Sequence, residues 1–305
     1  MNPAEKENLQ DRRKFLETVM KAGGASLLLG TLASNASART DPTPDFTVRD
    51  IMEMVIREVP GGEKKDTVDT IKTGSADAKV SAIVTTMFPT ITVIREAIRL
   101  QANFIIAHEP SFYNHQDDRN WTGVNPVVTK KLALLNDHNI TIWRCHDYWH
   151  AMRPDSITYG VLKRTGWLSY NPEAAVSFQI PPVTLDKLID HLKDTLGLRH
   201  VRIVGDVSQT CRRISLLPGA WGGQRQIETV EKDKPDVLIV GEISEWETAE
   251  YIRDARLLGG TTSLLILGHC LSEEPGMAYM AEWLKPKVPG LQVTHIPSRE
   301  PFTWL

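Results

Sequence analysis

Short apolar runs alternate with amphipathic stretches between residues 47 and 295, and this alternation predicts the fold class. Stretches with apolar residues every three or four positions predict helices at residues 48–56, 91–98, 126–136, 156–165, 185–196, 247–258 and 277–284. Continuous apolar runs predict strands buried on both faces at residues 80–85, 104–107, 140–145, 175–180, 201–204, 214–217, 237–240, 263–267 and 291–295. Because strands and helices alternate, we expect an α/β fold of mostly parallel sheets flanked by helices.

The chain changes character near Asn171 and Pro172, and this break divides the predicted fold into two lobes. With 305 residues, the chain is long enough for two domains. We assign an N-terminal lobe to residues 39–172 and a C-terminal lobe to residues 173–305. The charged stretch at residues 60–77 and the polar, aromatic stretch at residues 111–125 are predicted to be loops.

Residues 1–38 have the features of an export signal. A basic region with Arg12 and Arg13 is followed by a mildly apolar region at residues 22–33 and then by Ala36-Ser37-Ala38. This order is typical of a signal peptide, and paired arginines are typical of twin-arginine export. We therefore expect a periplasmic or otherwise exported protein that is not held in the membrane after cleavage. An amphipathic N-terminal helix is the alternative.

Composition limits the classes of partner and the use of cysteine. The formal net charge of −3 gives no basis for a nucleic-acid partner, which would favour a basic surface. No apolar run reaches the roughly 18 residues that a membrane-spanning helix needs. The three cysteines, Cys145, Cys211 and Cys270, do not make a disulfide framework. We interpret them as small buried side chains, with a thiolate ligand or a Cys145–Cys270 bridge as alternatives.

Histidine and glutamate side chains follow three of the predicted strands at the point where each strand ends. The strand at 104–107 is followed by His-Glu, and the strand at 140–145 by a His with a second His four residues on. The strand at 263–267 leads into Gly-His, with a Glu four residues after that His. Because ligands bind at the carboxyl ends of parallel strands, these side chains should converge on a metal centre. The predicted ligands are His108, Glu109, His269 and Glu273, together with His146, His150 or both.

Two neighbouring ligands at one strand end favour a centre with two metal ions. In an extended backbone His108 and Glu109 point in opposite directions, so each can serve one of two close ions. Glu273 can bridge the ions through its two oxygens, with Glu274 as the alternative carboxylate. The ligand types suit zinc, iron or manganese. Glu242, at the end of a neighbouring strand, is predicted to act as a general base or as a hydrogen-bond acceptor behind a ligand.

Three blocks of the mature chain carry a resemblance to a known family. They are FIIAHEPSF at residues 104–112, IWRCH at residues 142–146 with a His at position 150, and the stretch from residue 235 through Gly-Glu at 241–242 to Gly-His at 268–269 and Glu273. In these blocks the chain resembles the Nif-three-like dinuclear-metal family, named after a yeast NGG-interacting factor. The resemblance implies that His108, His269 and Glu273 are metal ligands. It also implies that Glu109 and His150 occupy ligand positions at which the family has His and Asp.

The resemblance also implies a fold, an assembly and a reaction type. It implies the family's two-lobed α/β fold with the metal site between the lobes, and a homo-oligomer, in that family a toroidal hexamer. Our hypothesis for the activity is a hydrolase in which a water bridging two divalent metal ions attacks a small-molecule substrate. Some relatives are labelled as a type-two form of GTP cyclohydrolase, which is a hydrolytic activity. A non-catalytic metal-binding or metal-handling scaffold is the alternative, and a vestigial site is a third hypothesis.

Overall fold

Two five-stranded sheets form the framework of the protein. The computed structural model describes residues 45–305, which belong to one compact unit. The predicted export signal at residues 1–38 lies outside the described residues and stays a prediction. The strands are β1 (Ile71–Thr73), β2 (Ala82–Thr86), β3 (Phe104–Ala107), β4 (Thr141–Arg144), β5 (Ser177–Thr184), β6 (Arg202–Val204), β7 (Thr210–Leu217), β8 (Val237–Val240), β9 (Ser263–Ile266) and β10 (Gln292–His295).

The first sheet has the strand order β1-β4-β3-β2-β10, and the second has the order β5-β7-β8-β9-β6. The strands β4, β3, β2 and β10 run parallel, as do β7, β8 and β9. The edge strands β1, β5 and β6 pair antiparallel with their neighbours. Every residue of β2, β3, β4, β8 and β9 is buried, as expected for strands covered on both faces. The predicted α/β fold is confirmed, with antiparallel strands added at three sheet edges.

Helices cover the faces of both sheets. They are α1 (Val48–Glu58), α2 (Ile91–Arg99), α3 (Pro126–Asp137), α4 (Asp147–Ala151), α5 (Ser156–Thr165), α6 (Leu185–Leu196), α7 (Gly223–Asp233), α8 (Glu250–Leu257) and α9 (His269–Leu284). A π-helical turn at Glu245–Ala249 precedes α8, and short 3-10 turns lie at Asn120–Thr122 and Lys285–Lys287. The hydroxyls of Thr47 and Thr90 cap α1 and α2 as their positions predict. Within residues 45–305, none of the helices has the length and apolar character needed to cross a bilayer.

Four elements differ from the sequence-based expectation, and one of them is α7, for which no helix range was predicted. Strand β1 lies in the stretch at 60–77, which was predicted to be a loop, and helix α4 follows His146, where no helix was predicted. Helix α9 begins at His269 rather than at residue 277. Pro275 lies inside α9, and because a proline usually ends or kinks a helix, the pattern alone favours a later start.

Helix α9 and strand β10 connect the two sheets. β10 comes from residues 173–305, the stretch assigned to the C-terminal lobe, but it pairs with β2 in the first sheet. A Cβ atom on Gly160 in α5 would lie 2.6 Å from the Cα atom of Gly276 in α9, so these two helix backbones touch. The Thr85 hydroxyl of β2 donates a hydrogen bond of 2.8 Å to the Met277 carbonyl in α9. Helix α9 thus follows the second sheet in sequence and packs on the first in space.

Candidate metal centre

The carboxyl ends of the two sheets meet, and the predicted metal ligands lie at this junction. His108 and Glu109 directly follow β3, and His146 precedes α4 after β4. His269 is the first residue of α9, just beyond β9. His269 Nε2 lies 3.1 Å from Glu109 Oε1, so side chains from the two sheets are in direct contact. The position agrees with the expected site at the carboxyl ends of parallel strands.

Four imidazoles at the junction share one arrangement, in which Nδ1 contacts an outer acceptor and Nε2 faces inward. His108 Nδ1 lies 3.3 Å from the carbonyl oxygen of Cys145. His269 Nδ1 lies 3.1 Å from Glu242 Oε2. An acceptor at Nδ1 fixes the orientation of the ring and directs Nε2 inward, as in most metal-binding histidines.

The other two imidazoles belong to α4 and its first flanking residue. His146 Nδ1 lies 2.9 Å from Asp147 Oδ1, and His150 Nδ1 lies 2.8 Å from Asp155 Oδ2. Residues four positions apart lie on the same side of a helix, and the two ring centroids are 4.9 Å apart. The sequence left open whether His146, His150 or both would face the centre, and both do.

Glu273 lies between three of the inward-facing Nε2 atoms. Its Oε2 atom is 3.1 Å from His269 Nε2 and 3.8 Å from His108 Nε2. Its Oε1 atom is 3.8 Å from His150 Nε2. Zinc–ligand bonds of about 2.0–2.2 Å place neighbouring ligand atoms roughly 3–4 Å apart. These separations therefore fit a cation held between the imidazoles and the carboxylate.

Glu109 completes the set from the first sheet. Its Oε1 atom lies 3.1 Å from His269 Nε2 and 3.9 Å from His146 Nε2. Its Oε2 atom lies 3.3 Å from a guanidinium nitrogen of the buried Arg144. Burial opposes ionisation of Glu109, but the contacts with His269, His146 and Arg144 outweigh this effect and lower the pKa of Glu109. Glu109 is therefore an ionised carboxylate with one oxygen towards the centre.

Two buried polar atoms at the centre have no hydrogen-bond partner. They are Nε2 of His108 and Oε2 of Glu273. The Glu273 oxygen lies 3.1 Å from His269 Nε2, but this contact is not aligned as a hydrogen bond. Unsatisfied buried polar atoms are rare because each costs free energy. The ligand atoms of His108, Glu109 and Glu273 lie within 4.8 Å of one another, as do those of His108, His146 and His150. A bound cation would satisfy these atoms, so the residues fit a metal ion.

The protonation states also suit metal binding. Burial, helped by the neighbouring imidazoles, holds the pKa of His108 well below its usual value, so this ring is neutral and able to ligate. Burial alone would lower the pKa of His269, but the surrounding carboxylates of Glu109, Glu242 and Glu273 raise it to about 12. His269 without a cation therefore carries a proton that offsets nearby negative charge. A cation would displace this proton, so binding should release protons.

Glu242, predicted as a general base or an outer acceptor, occupies the acceptor position. Its hydrogen bond with His269 is the largest influence on its pKa, which is lowered, so the carboxylate is ionised. The side chain is 55% exposed. The alternative ligand Glu274 points elsewhere, with Oε1 lying 3.1 Å from His295 Nε2. The three cysteines are free and buried, so the Cys145–Cys270 bridge is not formed.

Helix α4 is held by hydrogen bonds from residues 67–69, which lie outside the site in a stretch that was predicted to be a loop. The Asp69 carboxylate accepts hydrogen bonds of 2.7 Å from the backbone N–H of His146 and 2.8 Å from that of Tyr148. The Asp147 carboxylate accepts hydrogen bonds from the Thr67 hydroxyl and the Val68 N–H, at 2.8 and 3.2 Å. A distant carboxylate thus caps the short helix that carries His150 and directly follows His146.

Asp147 should make stability depend on pH between about 4 and 2. Burial opposes its ionisation, but hydrogen bonds from His146 and Thr67 outweigh this effect and lower its pKa from 3.8 to about 2. A lowered folded-state pKa contributes stability above pH 3.8 that is lost as the pH falls towards 2. We expect about 1–2 kcal/mol, because the side chain is partly exposed.

The measurement is denaturant unfolding of the metal-free protein and of Asp147→Asn across this pH range. The difference in unfolding free energy between the two proteins should shrink as the pH falls from 4 to 2. A difference that stays constant over this range would contradict the assignment of the stabilising hydrogen bonds to the ionised carboxylate.

Gly219, in the turn after β7, leaves the space that Glu273 occupies. A Cβ atom at Gly219 would lie 2.2 Å from Glu273 Oε1, and its φ angle is +77°. Such a φ angle favours glycine. The Ser272 hydroxyl accepts a hydrogen bond of 2.9 Å from the Gly219 N–H, so the turn also contacts α9. Nothing local in the sequence indicates that this turn lies close to a candidate ligand.

Replacing Gly219 with alanine is expected to displace Glu273 and to weaken metal binding about 10–100-fold, the range seen when groups that support ligands are altered. Gly222→Ala is the matched control, because Gly222 has the same φ of +77° but a Cβ there would meet nothing within 4 Å. Both variants should lose similar stability from backbone strain. Metal affinity, measured by competition with a chelator, should fall in Gly219→Ala alone; equal affinities would refute the steric argument.

Comparison with known proteins places this geometry in context. A family model described as Duf34/NIF3 (NGG1p interacting factor 3) matches residues 47–301. A protein of Clostridium acetobutylicum named "GTP cyclohydrolase 1 type 2 homolog" is 24% identical over 251 residues, which cover 78% of this chain and 89% of that protein.

Two solved structures show the same fold. A hypothetical protein of Staphylococcus aureus has a TM-score of 0.67 at 17% identity, covering 86% of this chain and 100% of its own. A Bacillus cereus protein related to NIF3 has a TM-score of 0.66 at 15% identity, covering 86% of this chain and 99% of its own. At these identities the likeness concerns the fold alone.

Proposed function

Since the chain belongs to the Duf34/NIF3 family, we propose that it is a metal-dependent hydrolase whose centre holds two divalent cations. The observation that carries this proposal is the shared orientation of four imidazoles. Each contacts an acceptor through Nδ1 and directs Nε2 towards Glu109 or Glu273, or towards the space between them. Zinc, iron and manganese all suit this mixture of imidazole and carboxylate ligands.

The chain's own residues would bind and orient the cations. Glu273 presents both oxygens to different imidazoles, which supports its proposed role as the ligand shared by two ions. Glu109 presents one oxygen, and the four imidazoles would supply the remaining ligands. A bound divalent cation lowers the pKa of water from 15.7 to about 7 and so provides a nucleophile at neutral pH. The proposed reaction is hydrolysis of a small molecule.

A metal-handling scaffold without catalysis is the second candidate function. It is favoured by the position of Glu242, the residue predicted as a general base. Its Oε2 atom contacts His269 Nδ1 at 3.1 Å, so it acts as an orienting acceptor for that ring. In this role Glu242 would strengthen metal binding without moving a proton of the substrate.

The test that separates the two functions begins with elemental analysis of the purified mature chain. The loaded protein is then screened with phosphodiester, ester and cyclic-amidine substrates, and with GTP because of the name of the curated relatives. Hydrolase function requires turnover that is lost in His269→Ala, while His138→Ala, an exposed histidine at the end of α3, keeps it. Two bound ions without turnover on any substrate would favour the scaffold. Absence of bound ions after reconstitution would overturn both.

We further propose that the protein is exported and assembles as a homo-oligomer, with six copies as the assembly that the sequence resemblance suggests. Export is tested by fractionating cells that express the full chain, beside a variant in which Arg12 and Arg13 are replaced by lysine. The wild-type chain should be processed and periplasmic, and the variant should stay in the cytoplasm.

Light scattering of the purified chain measures the number of copies in the proposed homo-oligomer, and a monomer would refute the assembly.

A further inference from the structure

Arg144, the last residue of β4, is a fully buried arginine next to the candidate metal centre. Its side chain is 0% exposed. One guanidinium nitrogen, Nη2, lies 3.3 Å from Glu109 Oε2, and Nε donates a hydrogen bond of 3.1 Å to the His108 carbonyl. The third nitrogen, Nη1, donates to the carbonyl of His115. Arg144 therefore contacts two candidate ligands: the side chain of Glu109 and the backbone of His108.

Further buried charges lie behind Arg144. Asp117 Oδ2 is 3.7 Å from Arg144 Nη1, and Lys72 Nζ is 3.3 Å from the same oxygen. The side chains of Asp117 and Lys72 are 2% and 6% exposed. The charges of Glu109, Arg144, Asp117 and Lys72 thus alternate in sign along a buried row. A buried charge is tolerated when a charge of the opposite sign lies close to it.

The same row fixes the loop that follows Glu109. Asp117 Oδ1 accepts hydrogen bonds of 2.6 and 2.8 Å from the backbone N–H groups of Ser111 and Phe112. The guanidinium is therefore held on three sides: by the strand that carries it, by the loop through Asp117 and the His115 carbonyl, and by Glu109. A planar guanidinium with several fixed partners has little freedom to reorient.

We propose that Arg144 is a positioning residue that fixes Glu109 in the metal centre. By occupying Oε2, it leaves Oε1 alone to face His269 and His146, so Glu109 acts as a one-oxygen ligand. The inference rests on the proposed metal centre, and it assigns a role to a residue outside the ligand set.

A double-mutant cycle on Arg144 and Glu109 tests this role. Arg144→Lys keeps the positive charge but lacks the planar fork that can serve three partners. We expect it to weaken binding of Zn²⁺ or Co²⁺ about 10–100-fold in chelator competition. In the Glu109→Gln background the same substitution should cost little further affinity, because the group that Arg144 orients is already altered. Arg49→Lys, in an exposed ion pair with Asp77, is the matched control.

The outcomes separate the inference from the function on which it rests. A wild-type chain that binds no ion overturns both. A wild-type chain that binds two ions, with unchanged affinity in Arg144→Lys or additive losses in the double variant, overturns the role of Arg144 alone. If the lysine variant does not fold, a crystal structure of the metal-loaded wild-type protein decides. Glu109 ligating through Oε1 with Oε2 on Arg144 supports the inference, and Glu109 turned away from Arg144 refutes it.

Discussion

Replacing Glu273 with glutamine is expected to remove the two cations of the proposed centre. The two carboxylate oxygens face the Nε2 atoms of three imidazoles, and Oε2 lacks a hydrogen-bond partner. Glutamine has the same shape but carries no charge, and its amide nitrogen cannot ligate a cation. We expect affinity to fall about 100-fold or more, at or beyond the upper end of losses seen for groups that only support ligands. Any hydrolytic activity should disappear with the metal.

The matched control for this variant lies on the same helix. Glu282→Gln removes the charge of a residue whose side chain is 58% exposed in an ion pair with Lys163. It should bind metal like the wild type, because surface ion pairs contribute little. Elemental analysis after dialysis gives the ions per chain. Retention of one firmly held ion in Glu273→Gln would refute the shared-ligand role while leaving a mononuclear centre in place.

Replacing Asp69 with alanine is expected to loosen α4 and to destabilise the metal-free protein by about 3 kcal/mol, because two backbone N–H groups lose their acceptor. These groups belong to His146 and Tyr148. His146 and His150 should then lose their fixed orientation, so metal affinity should fall as well. The two measurements are denaturant unfolding of the metal-free protein and chelator competition.

Asp77→Ala serves as the control for Asp69→Ala, because Asp77 lies in the same segment but makes an exposed ion pair with Arg49. Its free energy of unfolding should change by less than about 0.5 kcal/mol. Asp69→Asn separates charge from hydrogen bonding, since the amide oxygen can still accept one of the two bonds. Normal stability in Asp69→Ala would mean that solvent satisfies both N–H groups equally well.

The positions of the candidate ligands were predictable because they follow from local pattern and one general rule. Apolar runs mark buried strands, and ligands in open α/β sheets bind beyond the carboxyl ends of those strands. His108 and His269 directly follow or lie just beyond such runs, and Glu273 lies one helical turn after His269. Several helix boundaries were equally local, as at Ser156–Thr165, where Asp155 caps the first turn through a side-chain hydrogen bond.

The supporting residues were not predictable, because their partners are distant in sequence. Asp69 lies in a charged, irregular stretch, and nothing local indicates that it caps a helix 77 positions away. Gly219 lies against a candidate ligand that is far along the chain. Arg144 did leave a local signal, since it is a charged residue at the end of an apolar strand. That signal says that the charge must be paired, but it does not identify Glu109 as the partner.

The edges of the sheets were also beyond local pattern. Strand β1 is three residues long, and its neighbours include charged and glycine residues, so its β structure depends on pairing with β4. Strand β10 was predicted as a strand, but its placement beside β2 depends on how α9 returns to the first sheet. Which strands pair is decided by tertiary packing, and a single sequence carries little of that information.

The contact between Glu109 and His269 joins residues 160 positions apart. During synthesis the first part of this pair leaves the ribosome long before the second, so neither nascent half can assemble the full centre. Cation uptake should therefore come late in folding, after both sheets have docked. Because a ligand that binds only the native state stabilises it in proportion to the logarithm of its concentration, metal supply would act on how much finished protein accumulates, rather than on how the first sheet begins to form.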